Sequence, residues 1–274
     1  MEASTLAIQT NNLTRRYGKL LAVDHLNLSV ERGIVFGFLG PNGAGKSTTI
    51  KLLTGLLPPS EGSANVGGFD VQKDSLNVKR RIGVVPEGLS LYERLTVLEQ
   101  VELVGRLHGL NHAEIMHRIP KLLDVLELGD AANKMIVDYS HGMRKKTSLA
   151  CALIHSPEIL FLDEPFEGVD PISTRAIKEI LREMVVQRGT TVFFSTHVME
   201  LAERFCDQVG IISRGQLAGV GSIPELRARA NLAGDASLED VFVHTVGAQE
   251  NGGVRLDWLT GQGKPLPEDA SYVG

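Results

Sequence analysis

Hydrophobic and polar residues follow two rhythms along this chain. In HLNLSVERG, Leu26, Leu28 and Val30 alternate with polar neighbours, the two-residue period of a half-buried strand. GIVFGFLG, which follows, is apolar up to its closing glycine and predicts a strand buried on both faces. After TTIKLLTGLL come turn signals at Gly62, Gly67 and Gly68, then a short strand, IGVV, at 82–85. From Thr96 the period lengthens. Thr96 and Glu99 form a capping-box signature, Val97, Val101 and Val104 follow at helical spacing, and AEIMHRIPKLLDVLEL continues the pattern. Residues of about 90–156 therefore read as a helix-rich insert. Strand rhythm returns in EILFLDEP. DPISTRAIKEILREMVVQRG then predicts a helix with Asp170 as N-cap and Pro171 at its first position, and TVFFSTH another buried strand. Strands alternating with helices on both sides of the insert predict an α/β fold whose parallel sheet is covered on two faces. From about residue 247 periodicity fades and Gly and Pro accumulate, as in a tail or linker.

Composition removes several classes of function. The 274 residues are 43% hydrophobic and 22% charged, ordinary for a globular protein that buries a sizeable core. A net charge of -5 argues against nucleic acid as a partner, since a phosphate backbone demands a basic face. No apolar run approaches the roughly 18–20 residues that span a bilayer, and MEASTLAIQT lacks the basic-then-apolar pattern of a secretion signal. Any membrane is therefore expected to be met through a partner. Cys151 and Cys206 have no metal-type spacing and read as reduced thiols of a cytoplasmic protein.

The strongest chemical signal is GPNGAGKS, which fits G-x-x-x-x-G-K-[ST] between a buried strand and an apolar helix. Gly40, Pro41, Asn42, Gly43, Ala44 and Gly45 form a loop whose backbone N–H groups can turn inward around phosphates. The helix beginning near Lys46, Ser47 and Thr48 aims its N-terminus at the same anions. Lys46 would bridge the β- and γ-phosphates of ATP, and the Ser47 hydroxyl would ligate Mg²⁺. In ILFLDEP, Asp163 emerges at the end of a buried strand as a Mg²⁺ carboxylate, direct or one step removed. Neighbouring strand side chains point to opposite faces, so Glu164 shares that site only if the strand stops there, and Pro165 supports such a stop. Glu164 is then the candidate to polarise the attacking water. His197 closes the next buried strand, at the edge where parallel sheets collect ligands, and can sense the γ-phosphate. Tyr17 lies upstream of the cradle and is either a platform for adenine or an exposed tyrosine near a turn. His108, His112 and His117 crowd together without a pattern that would hold a metal.

In VDYSHGMRKK, Ser140 and His141 imitate a nucleophile beside its base, but chain neighbours rarely face each other and no G-x-S-x-G frames the serine. GPNGAGKST, then YSHGM shortly before ILFLDEP, then GVD and STH, in this order and spacing, resemble the ATPase subunit of an ATP-binding cassette (ABC) transporter over about residues 5–245. The resemblance implies a P-loop NTPase core with a mainly parallel sheet, an N-terminal antiparallel β subdomain and a helical insert subdomain. It divides the chain into an ATPase domain over 5–246 and a tail over 247–274. Tyr139, Ser140, His141, Gly142 and Met143 stand where the family usually has LSGGQ, so Ser140 and the first-turn amides behind it are expected to face the γ-phosphate held by a second subunit. His141 in place of a glycine takes away backbone freedom there. Glu87 stands where the family usually has glutamine: it either ligates Mg²⁺ or stays withdrawn until the dimer closes. Asp170, in GVD, resembles the loop by which subunits sense each other and also caps the next helix.

The expected function is ATP binding and hydrolysis by a homodimer that powers export through a separate transmembrane permease, at the inner face of the cell membrane. The departures at 87 and 141 resemble bacterial exporters of drugs, lipids or polysaccharides. A soluble ABC-type ATPase serving cofactor assembly is the alternative. The helical insert is expected to meet the membrane partner, and the tail either to rest on the neighbouring subunit through Leu256, Trp258 and Leu259 or to be disordered.

Overall fold

The computed structural model describes residues 5–247, and the expectation for Leu256, Trp258 and Leu259 lies outside them. In chain order the elements are β1 (Leu6–Tyr17), β2 (Leu20–Leu26), β3 (Ser29–Glu31), β4 (Val35–Leu39), α1 (Lys46–Leu53), β5 (Glu61–Val66), β6 (Phe69–Asp70), α2 (Ser75–Arg81) and β7 (Ile82–Val85). The insert supplies α3 (Val97–Leu107), α4 (His112–Val125) and α5 (His141–Leu153). There follow β8 (Ile159–Asp163), α6 (Pro171–Arg188), β9 (Thr191–Thr196), α7 (Met199–Phe205), β10 (Gln208–Ser213), β11 (Gln216–Gly221), α8 (Ile223–Arg229) and α9 (Leu238–Gly247).

Two sheets result. An antiparallel one runs β2-β1-β5-β6, with β3 also paired to β1. The larger has the order β11-β10-β4-β9-β8-β7 and is parallel except at its β11 edge. Because successive strand residues face opposite ways, a strand covered on both faces must be apolar throughout. So it is here: Leu160, Leu162, Val192 and Phe194 point into the core shared with the helical insert. Phe161, Phe193, Phe36 and Phe38 point into the core shared with the antiparallel sheet. A third cluster, under α7, α8 and α9, closes the β10 side of the larger sheet.

The helix starts follow the sequence signals. Thr96 and Glu99 form the expected capping box, and Asp170 accepts from the Ile172 and Ser173 amides with Pro171 next in line. One expectation differs. The alternation through Leu26, Leu28 and Val30 is a burial alternation, and all three are buried, but the strand breaks into β2 and β3. Thr10 is the cause: its hydroxyl donates to the Leu26 carbonyl and accepts from the Leu28 amide, each at 2.8 Å, replacing ladder bonds at that point. Both cysteines are free, as expected, and burial pushes the Cys151 thiol up to about 12. Among the described residues no helix is long and apolar enough to cross a membrane.

Phe193 holds the centre of the sheet, with its ring 5.4 Å from those of Phe36 and Phe38 and 5.5 Å from that of Phe161. Phe193→Ala should lower unfolding free energy by about 3–5 kcal/mol in denaturant titrations, the usual loss for deleting a buried aromatic ring.

Candidate functional site

β4, β9 and β8 lie side by side and end nearly level: Leu39 is in register with Thr196, and Asp163 with Ser195. The loop after β4, the acids after β8 and His197 after β9 therefore emerge together at the carboxyl edge of a parallel sheet, the edge where such sheets bind ligands.

Gly45 is the N-cap of α1, with φ of 109°, and a Cβ there would stand 2.3 Å from the Ala22 carbonyl oxygen. A glycine thus permits both the turn and the approach of β2, and it leaves the first-turn amides without a side-chain cap. In the same loop Pro41, Asn42 and Gly43 are exposed, Ala44 is buried, and Ser47 and Thr48 are half-buried. Lys46 is buried; its ammonium donates to the carbonyls of Gly40 (2.8 Å) and Pro41 (3.2 Å) and pairs with Glu164 Oε1 at 3.3 Å.

The strand does stop after Asp163. Glu164 takes a left-handed φ of 46°, and that single turn lets two neighbouring acids serve one site. Ser195 fastens both: its hydroxyl donates to Asp163 Oδ1 (2.6 Å) and accepts from the Glu164 amide (3.0 Å). Ser47 Oγ lies 3.2 Å from Asp163 Oδ1 and 3.4 Å from Glu87 Oε2. His197 Nδ1 lies 3.2 Å from Glu164 Oε1, with the imidazole side chain 40% exposed. Glu164 Oε1 is thus reached by both Lys46 and His197.

Beneath the acids is Lys145, on the second turn of α5 and only 4% exposed. Its ammonium donates to the Glu164 carbonyl at 2.6 Å. Burial holds its pKa below the ordinary lysine value, against the pull of Glu167, Glu164, Glu87 and Asp163. Two buried ammoniums, Lys46 and Lys145, accompany two buried carboxylates, Asp163 and Glu164, which keeps each charge paired where desolvation would otherwise be severe. Lys145 escapes motif reading, and Ser195 stands in STH with no role assigned to it, although the signals exist. Lys145 shares a helix face with Leu149 and Ala152, and Ser195 ends an apolar run.

The remaining sequence candidates lie elsewhere. Ser140 is the N-cap of α5 and accepts from the Met143 amide at 3.3 Å. His141 is exposed and Gly142 and Met143 are half-buried. The His141 ring lies against Gly168, where a Cβ would come 3.0 Å from its Cδ2. These contacts run to α5 itself and to the loop after β8, not to the 40–47 loop. Asp170 caps α6, and the Ser173 amide foremost holds its carboxyl below the usual aspartate value. Tyr17 ends β1, 45% exposed, with the Arg15 guanidinium 4.7 Å above its ring.

A groove of about 720 Å³ opens between the sheet and the helical insert, lined among others by Ile82, Leu91, Val104, His108, His155, Glu87 and Asp163. The rings of His108 and His155 stack at 3.6 Å, and His155 Nε2 lies 2.9 Å from the Ile82 carbonyl. Glu87 thus borders both the groove and Ser47.

Residues 23–167 match the ABC transporter family. Among relatives, the linearmycin resistance ATP-binding protein of Bacillus subtilis is 38% identical over 232 residues, which cover 85% of this chain and 74% of that one. An ATP-binding subunit of an ABC transporter superposes with a TM-score of 0.82 at 31% identity, covering 88% of this chain and 99% of that one. A dimeric cassette in a post-hydrolysis state, bound to ADP and phosphate, gives 0.72 at 26% identity, covering 79% of this chain and 98% of that one. The chain belongs to the ABC transporter family, as an ATP-binding subunit. It is an ATPase, with the P-loop core, antiparallel subdomain and helical insert that its motifs imply.

Burial foremost, then the neighbouring His108, pulls the pKa of His155 from its ordinary 6.5 down to about 4. The folded state therefore prefers the neutral ring. Its contribution to stability is full above pH 6.5 and is lost as pH falls towards 4, because the unfolded chain takes up the proton first. Unfolding titrations across this window should show a smaller loss of stability in His155→Gln than in the parent protein.

Proposed function

We propose that two copies of this cassette meet head to tail around two ATP molecules and drive export through a separate membrane-spanning partner. One observation carries this reading. The residues that suit phosphate, metal and water converge at one sheet edge, whereas the Ser140 turn, also suited to an anion, has its contacts elsewhere. A chain with one cradle and one such turn, held apart, needs a second copy to bring the two halves together.

In each half-site the 40–47 amides and Lys46 bind the β- and γ-phosphates, Thr48 extends the cradle, and Tyr17 stacks on the base. The oxygen donors Ser47, Asp163 and Glu87, grouped within 3.4 Å of one another through Ser47, suit a hard divalent cation. Mg²⁺ bound there would neutralise charge on the transferring phosphoryl group. Lys46 now pairs with Glu164, so phosphates that draw the ammonium away release Oε1 to accept a proton from the attacking water. His197, beside Oε1, orients that carboxylate and can donate to the γ-phosphate. From the other copy, the Ser140 hydroxyl, the Gly142 backbone and the 141–143 turn close over the nucleotide, with Asp170 at the subunit boundary. Hydrolysis removes the shared anion and lets the copies part.

The membrane partner is expected in the groove beside the helical insert, because Glu87 touches the nucleotide side and the groove at once. The resistance role in the name of the Bacillus relative favours a drug-like cargo and outward transport. The cassette would then sit at the inner face of the cell membrane.

Glu164→Gln should lower ATP turnover by at least about 100-fold while ATP still binds, and it should elute as a dimer on gel filtration at saturating ATP. A monomer under those conditions overturns the shared-site reading. Lys46→Ala should lose binding of a fluorescent ATP analogue; parental affinity would displace the 40–47 loop as the cradle.

A further inference from the structure

We infer that Lys145 is a positioning residue for hydrolysis: through its bond to the Glu164 carbonyl it holds the turn that aims the Glu164 carboxylate. The inference rests on the role proposed for Glu164 and adds a residue to it. Glu164 occupies a left-handed conformation, which a non-glycine residue keeps only when its surroundings enforce it. Three groups do so. The Ser195 hydroxyl accepts from its amide at 3.0 Å, while its carbonyl accepts from Lys145 Nζ at 2.6 Å and from the Glu167 amide at 3.3 Å. The Lys145 bond is the short one, it is charge-assisted, and the donor is buried, so water cannot readily replace it.

The stem is fixed as firmly as the head. Lys145 borders a small apolar void with Val85, Leu149, Leu162, Pro165 and Ile177, contributed by β7, α5, β8, the loop after it and α6. A lysine packed among aliphatic groups with its ammonium on one carbonyl has little freedom to move that carbonyl, or the carboxylate on the same residue. Lys145 also stands on the helix that Ser140 caps. A nucleotide gripped at the Ser140 end by one copy therefore pulls on the same rigid helix that sets Glu164 in that copy. The Ser140 turn and the Glu164 turn are thereby linked within one chain.

The test compares Lys145→Met, which keeps the stem and removes the donor, with Lys145→Arg, which keeps a charged N–H donor that reaches as far, both in the full chain. Lys145→Met should lower kcat by about 10-fold or more with KM for ATP within about twofold, because aim and not affinity is lost. Lys145→Arg should keep kcat within about threefold of the parent. Parental kcat in Lys145→Met overturns the inference. So does a loss in Lys145→Met that comes with a raised KM, which would make Lys145 a counter-charge for the acids. If Lys145→Met does not fold, Lys145→Gln, whose amide stops a methylene short of the carbonyl, decides alone: kcat lowered about 10-fold at unchanged KM supports the bond, and parental kcat refutes it. Gel filtration of Glu164→Gln with ATP tests the shared site separately, so the two ideas can fail independently.

Discussion

One backbone turn organises the site. A β-strand sends neighbouring side chains to opposite faces, yet the proposed chemistry needs Asp163 and Glu164 on the same side. The conflict is resolved by ending β8 at Asp163 and reversing φ at Glu164. That reversal is held by groups from three places: Ser195 on the adjacent strand, Lys145 on α5 and the Glu167 amide further along the loop. The sheet register, which brings Ser195 level with Asp163, is therefore part of the site and not merely its support.

Charge balance imposes the second constraint. Two carboxylates and two ammoniums are withdrawn from water at the sheet edge, and none of the four would be tolerable there alone. Lys46 is the adjustable member. Its donors go to its own loop and to Glu164, and in the proposed function phosphate oxygens replace these partners. Lys145, embedded in aliphatic packing, is the fixed member.

Much of this was legible in the sequence where local rules decide the outcome. GPNGAGKS between an apolar strand and a helix placed the loop, and the Thr96, Ser140 and Asp170 caps placed three helix starts. Pro165 announced the end of β8. Legibility fails where a distant side chain intervenes. Thr10, far along the chain, breaks the strand that Leu26 to Val30 suggest, and no local pattern around those residues announces it. Ser195 acts on residues thirty-one and thirty-two positions away, and Lys145 on one nineteen positions away. The groove and its stacked imidazoles likewise arise only when α3 and α5 pack beside β7. The sequence showed His108 in a crowd of histidines, but its partner in space is His155.

The imidazole of His141 rests where a side chain on residue 168 would begin, and residue 168 has φ of 67°. These two positions consequently share a single allotment of space. The histidine at the start of α5 fills it, opposite a loop residue whose left-handed backbone already favours glycine. Bulk at 168 would meet two obstacles, the left-handed backbone and the imidazole, and a smaller residue at 141 would remove only the second.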